Sequence, residues 1–260
     1  MTTTDVQDTF QIGRVVSRTF SVIGRNAVAF LLLSALLTLP SLFFSLYFQD
    51  ALAPSEENPM AVFENLTITL PMGLLGVVMA YLLQACLVQG TVSDLNGVKP
   101  QFGTMLSSGF RVVGPVVVIS ILAYLGMVVG VLLLIVPGII LAVMWSVVVP
   151  VRVVENTGIG ETFARSRALT KGSRWQIFLV ALLGCIIAYL IVLVMALVLG
   201  VSLITPGEDS AMRSIPFLVG NWLVSAVIYS IIGAGIASIY YELRTVKEGI
   251  APQQLAAAFD

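Results

Sequence analysis

Residues 112–151 form a run of 40 positions without one acidic or basic side chain. A helix on the surface of a soluble protein needs a polar face, whereas roughly 20 apolar residues suffice to cross the hydrocarbon of a bilayer. The run is therefore read as two spans, with Pro137 and Gly138 as the turn between them, because proline breaks a helical ladder and glycine tolerates turn geometry. Apolar runs of similar length occur at residues 27–48, 66–89, 176–201 and 216–240, and the turn divides the central run into 112–135 and 137–154. The expected fold is all-α: a single integral membrane domain over residues 1–260 with six transmembrane helices.

Composition agrees with that reading. Hydrophobic residues make up 58% of the chain and charged residues 10%, with a mean hydropathy of +1.02; a soluble domain is about 45–50% apolar and about 25% charged. The formal net charge of -1 gives no electrostatic reason to expect nucleic acid as a partner. There is no histidine, and the two cysteines, Cys86 and Cys185, both fall in apolar runs. A zinc or haem site, a histidine base and a disulfide framework thus lack their usual residues, so no cofactor and no enzymatic activity are expected.

The charges that remain are unevenly placed. Arg14, Arg18, Arg25, Lys99, Arg111, Arg152, Arg165, Arg167, Lys171, Arg174, Arg244 and Lys247 fall on one side of the six-span arrangement, and Arg213 alone on the other. Lys and Arg are retained on the cytoplasmic side, so both termini are expected there, with the acidic loop carrying Asp50, Glu56, Glu57 and Glu64, and the one carrying Glu208 and Asp209, outside. The first apolar run is too long for the h-region of a signal peptide, and Pro54 would follow the Ala51-Leu52-Ala53 cut.

The cytoplasmic segments carry a pattern of their own. At about 100° per residue, Ile12, Val15, Val16, Thr19, Phe20 and Ile23 share one arc and Arg14, Arg18 and Arg25 the opposite one. Phe102, Met105, Leu106 and Phe110 precede the third span in the same manner, and Ile159 and Phe163 the fifth, with Arg167, Lys171 and Arg174 as a basic stripe beside them. These read as amphipathic helices lying in the cytoplasmic interface, where each cation near an anionic leaflet contributes about 1 kcal/mol. Gly97 before Phe102, Gly158 before Phe163 and Gly249 before Leu255 enter the segments at similar spacing, which makes a threefold repeat of interfacial helix plus hairpin. Arg14, Arg18, Arg167, Lys171 and Arg174 are accordingly the candidate contacts to anionic phospholipid headgroups.

Residues 137–175 carry Pro137-Gly138, Leu141, Trp145, Pro150, Glu155, Gly158, Phe163, Arg165-Ser166, Leu169-Thr170, Gly172 and Trp175, and a second cluster comprises Tyr241-Glu242-Leu243-Arg244 with Lys247-Glu248-Gly249. In these positions the chain resembles the membrane domain of some bacterial glycerophosphoryl diester phosphodiesterases and related stand-alone bacterial membrane proteins. The resemblance implies an inner-membrane module linked to lipid or envelope metabolism. It does not bring the hydrolase activity with it, since in that family hydrolysis belongs to a separate soluble barrel that uses acidic metal ligands and histidines.

Within the spans, Gln84, Gln89 and Asn221 are the deepest polar side chains and read as helix-packing hydrogen bonds. The absence of acidic or basic groups from the span interiors disfavours ion-coupled transport. Gly126 and Gly130 form a GxxxG on the third span, a place for close backbone approach. Glu161 and Arg165 stand at i,i+4 and are expected to pair as helix support. The expected role is a non-catalytic membrane module that meets anionic lipids or other membrane proteins, the alternative being a transporter or lipid-translocating protein without ion coupling.

Overall fold

A computed structural model describes residues 9–52, 65–198 and 214–249 of the chain. The loop charges Glu56, Glu57, Glu64, Glu208, Asp209 and Arg213, residues 199–201 at the end of the fifth run, and Leu255 of the third repeat lie outside the described residues. Among the described residues every regular element is helical: α1 (Ile12–Leu52), α2 (Leu66–Leu95), α3 (Phe102–Leu133), α4 (Ile135–Met144), α5 (Val148–Glu155), α6 (Ile159–Thr170), α7 (Arg174–Val198) and α8 (Ile215–Glu248). Six segments are long and apolar enough to cross a membrane, namely Ile12–Phe48, Leu66–Leu95, Phe102–Gly130, Ile135–Glu155, Arg174–Val198 and Ile215–Glu248.

The amphipathic stretches before the first and third spans continue into them. In α1 the only departure from helical geometry is Asn26, at φ -123° and ψ 22°. Its side-chain amide donates to the Val22 carbonyl at 3.0 Å and to Asp94 Oδ1 at 2.7 Å, a local bond that competes with the backbone ladder. The apolar arc of α1 meets protein in part: Val15 and Thr19 are buried and Ile12, Val16 and Ile23 half-buried, while Phe20 remains exposed. An amphipathic period does not say whether lipid or another helix covers the apolar face.

Burial is concentrated toward one end of the bundle. One cluster joins Val15 of α1, Ala85 and Val88 of α2, Val116 and Ile119 of α3, Val151 of α5 and Tyr240 and Leu243 of α8. A second joins Phe30 and Leu33, Leu83 and Leu87, Met105 and Ala234. Toward the other ends of these helices Phe43, Leu70, Leu74, Leu125, Val129 and Leu223 stay exposed, as do Leu190, Val194 and Leu197 in the second half of α7. Apolar flanks on this scale fit hydrocarbon as solvent.

Three expectations are corrected here. The turn between α3 and α4 is at Leu134, the single extended residue (φ -165°, ψ 141°), and not at Pro137-Gly138. Pro137 sits in the first turn of α4, where its missing N–H leaves one fewer unsatisfied donor, and Gly138 is a buried helical residue whose N–H reaches the Leu134 carbonyl at 3.4 Å. The fourth span is interrupted: α4 ends at Met144 and α5 begins at Val148. The basic stripe is not one helical face either, because α6 ends at Thr170, Lys171 is extended and Gly172 has φ +88°, so Arg174 belongs to the first turn of α7.

Candidate functional site

The buried end of the bundle is held by four carboxylates, Glu242, Asp94, Glu155 and Glu248, each met by arginine from elsewhere in the chain. Glu242, on α8 and fully buried, accepts from Arg14 Nε at 2.9 Å, from Arg18 Nη1 at 2.5 Å and from the Gln11 backbone N–H at 3.1 Å. Arg18 also lies over the Tyr241 ring, 5.0 Å from its centroid. Two of the headgroup candidates are thus anchored on one carboxylate, and the trio keeps one net positive charge. Asp94 at the end of α2 performs the same service at the kink of α1, accepting from Arg25 Nε at 3.1 Å and from Asn26.

A second network joins α5, α6 and α8. Glu155 accepts from Arg165 Nε at 2.8 Å and from the Tyr240 hydroxyl at 2.9 Å, and Glu248 accepts from Arg165 and from Arg244 Nε, the latter at 2.8 Å. Burial works to lower the pKa of Arg165, but its bonds to Glu155 and Glu248 outweigh burial and raise it, so this guanidinium is held charged. The expected Glu161 to Arg165 pair does not form. Glu161 instead accepts the Gly158 backbone N–H at 3.0 Å and closes the start of α6, and Arg165 turns to two carboxylates distant in sequence.

The break in the fourth span is braced by α6. Ser166 Oγ donates to the Met144 carbonyl at 2.9 Å, Thr170 Oγ1 lies 3.4 Å from the same oxygen, and Trp145 meets Phe163 edge to face at 5.2 Å. Gly126 and Gly130 turn to α4 of this same chain: a Cβ on Gly126 would stand 2.4 Å from Trp145, and one on Gly130 would stand 2.9 Å from Leu141 and 3.0 Å from the Gly138 Cα. Beside the break is a cavity of about 170 Å³ lined by Tyr81, Gln84, Ser120, Trp145 and Ser146 among others. Ser120 is buried, with the Tyr81 phenol beside its hydroxyl. Asn221 and Gln89 do not line it.

The remaining basic residues differ from the anchored ones. Among the described residues no carboxylate pairs with Lys99, Arg111, Arg152, Arg167, Lys171, Arg174 or Lys247, and Arg152 donates to the Thr157 carbonyl instead. All but the half-buried Arg152 and Arg174 are exposed, and the Lys171 carbonyl accepts from Lys247 Nζ at 2.5 Å. The anchoring roles of Glu242, Asp94, Glu155 and Glu248 were not foreseen from sequence; the available signal was a lone glutamate at 242 between Tyr241 and Leu243, two residues beyond an apolar run.

Fold and site together define a multi-pass helical membrane protein whose helices are tied at one end by arginine and carboxylate groups. Compared with family models, curated proteins and solved structures, the chain matches none of them.

Proposed function

We propose that this protein is a non-catalytic module of the bacterial inner membrane, with both termini cytoplasmic, that engages anionic phospholipid through the cations its fold leaves unpaired. The observation that carries the reading is the division of the basic residues. Arg14, Arg18, Arg25, Arg165 and Arg244 meet carboxylates of the chain, whereas Arg167, Lys171 and Arg174, joined by the turn at Gly172, meet none among the described residues. Fixing topology requires only charge near span ends; a cluster without internal acceptors also suits headgroup phosphates. The resemblance to the membrane domain of glycerophosphoryl diester phosphodiesterases supports a link to lipid or envelope metabolism, and a membrane protein partner would meet the same face.

The test is thermal unfolding of the detergent-purified protein titrated with phosphatidylglycerol and, separately, phosphatidylcholine. Phosphatidylglycerol should raise the apparent melting temperature and phosphatidylcholine should not; equal shifts, or none, reject a headgroup-charge role. A second reading is favoured by one observation, the cavity at the break in the fourth span, whose mixed lining includes Gln84, Ser120 and Ser146, since interrupted helices beside a cavity are a feature of transporters. Translocation of a fluorescent phospholipid in proteoliposomes decides between them: none is expected of the module, and protein-dependent movement that disappears on Ser120→Val would establish the transporter.

A further inference from the structure

One face of α4, Val136, Ile139, Ile140 and Val143 at i, i+3, i+4 and i+7, forms a groove of about 280 Å³ with Arg174, Trp175 and Phe178 of α7. Every lining side chain is apolar or aromatic except Arg174. Trp175 stacks on Phe178 with ring centroids 5.3 Å apart, yet is 68% exposed, as an indole at the boundary between headgroups and hydrocarbon would be. Arg174 has no carboxylate partner among the described residues, and its Nε is buried with no acceptor. A buried donor left without an acceptor is unfavourable, and a guanidinium fork matches two oxygens of a phosphate.

We propose that this groove seats one acyl chain of a single anionic phospholipid, with the phosphate on Arg174. Resting on the proposed lipid-binding role, the inference names where the lipid sits and which class it is. The apolar wall disfavours a free phosphate or a sugar phosphate, which would bring only polar surface to it. The charge of the surroundings chooses among lipids: Lys171 and Arg167 precede Arg174 with no carboxylate of their own, so a choline or ethanolamine cation finds no counter-charge there, whereas a glycerol headgroup brings none to repel. Arg174 enters α7 at its first turn, where the helix dipole also favours an anion.

Native mass spectrometry of the full chain, released from detergent after equilibration with equal phosphatidylglycerol and phosphatidylcholine, tests the proposal. The wild type should keep one phosphatidylglycerol at collision energies that strip the rest. Arg174→Gln and the groove-filling Ile140→Trp should each lower that retained lipid about tenfold, the effect of losing a charge-assisted bond or the seat, whereas Arg167→Gln with Lys171→Gln should lower it about twofold. Should Ile140→Trp fail to yield folded protein, Val136→Trp at the exposed end of the same face takes its place. Retention unchanged by either tryptophan overturns the groove while leaving the broader headgroup reading intact. A loss as large in the Arg167 and Lys171 variant as in Arg174→Gln also overturns the site, in favour of diffuse surface charge. No preference for phosphatidylglycerol in the wild type overturns both readings, and a second copy of the chain that is lost on Ile140→Trp gives the groove a protein occupant and overturns the lipid.

Discussion

Glu242 shows what a residue's charge does when its surroundings are taken into account. The carboxylate is fully buried, whereas the Arg14 and Arg18 side chains are 30% and 25% exposed, so the three groups do not depend equally on one another. Removing both arginines strands a buried carboxylate, for which the expected loss is about 3–5 kcal/mol. Glu242→Gln leaves two cations that can turn toward water, and the loss should be smaller. Melting temperatures in detergent should therefore fall further for Arg14→Gln with Arg18→Gln than for Glu242→Gln; the reverse order would show that the arginines, not the glutamate, are the dependent partners. At this scale the sequence was least legible. Positions of cations could be read, but their partners stand 224 and 228 residues away for Arg18 and Arg14, beyond the reach of any local pattern. The local pair that was legible, Glu161 with Arg165, lost to a backbone cap on one side and two distant carboxylates on the other.

The helices themselves were legible because an apolar run of bilayer length permits little else. Their interruptions were not. Pro137 and Gly138 drew the turn toward themselves, yet proline is tolerated in a first helical turn and Gly138 serves the close approach of α3, so both belong to α4. The break at residues 145–147 lies one turn before Pro150, whose missing N–H leaves the Ser146 carbonyl without a ladder partner, and hydroxyls of α6 reach the Met144 carbonyl there. Packing at the GxxxG can be separated from helix propensity by comparing two glycines. Gly184 on α7 has open space where a Cβ would go, whereas Gly126 has Trp145 at 2.4 Å. Gly184→Ala should be neutral or stabilising by up to about 1 kcal/mol, as alanine is the better helix former. Gly126→Ala should destabilise by about 1–3 kcal/mol through overpacking. Equal melting temperatures for the two variants would mean that Trp145 moves aside freely and that α3 and α4 are not closely held there.

At the scale of the whole molecule, the fold pairs a tied, densely packed end with flanks that expose large apolar side chains, and the unpaired cations Arg167, Lys171 and Arg174 belong to the segments on either side of a single turn. Hydropathy anticipated the spans, and the amphipathic period anticipated which faces are apolar, but a period of 3.6 residues is the same whether protein or lipid covers the face. Val15 and Thr19 are covered by protein, and Phe20 is not. The lipid-binding proposal further requires that the cation cluster face the cytoplasmic leaflet, where anionic headgroups and positive-inside retention coincide. A single cysteine at Ala168, an exposed position next to Arg167, introduced into a background without Cys86 and Cys185, places that cluster directly. With a membrane-impermeant thiol reagent, labelling should be absent in intact cells and appear once the membrane is permeabilised. Labelling of intact cells would put Arg167, Lys171 and Arg174 outside and contradict both the orientation and the lipid contact built on it.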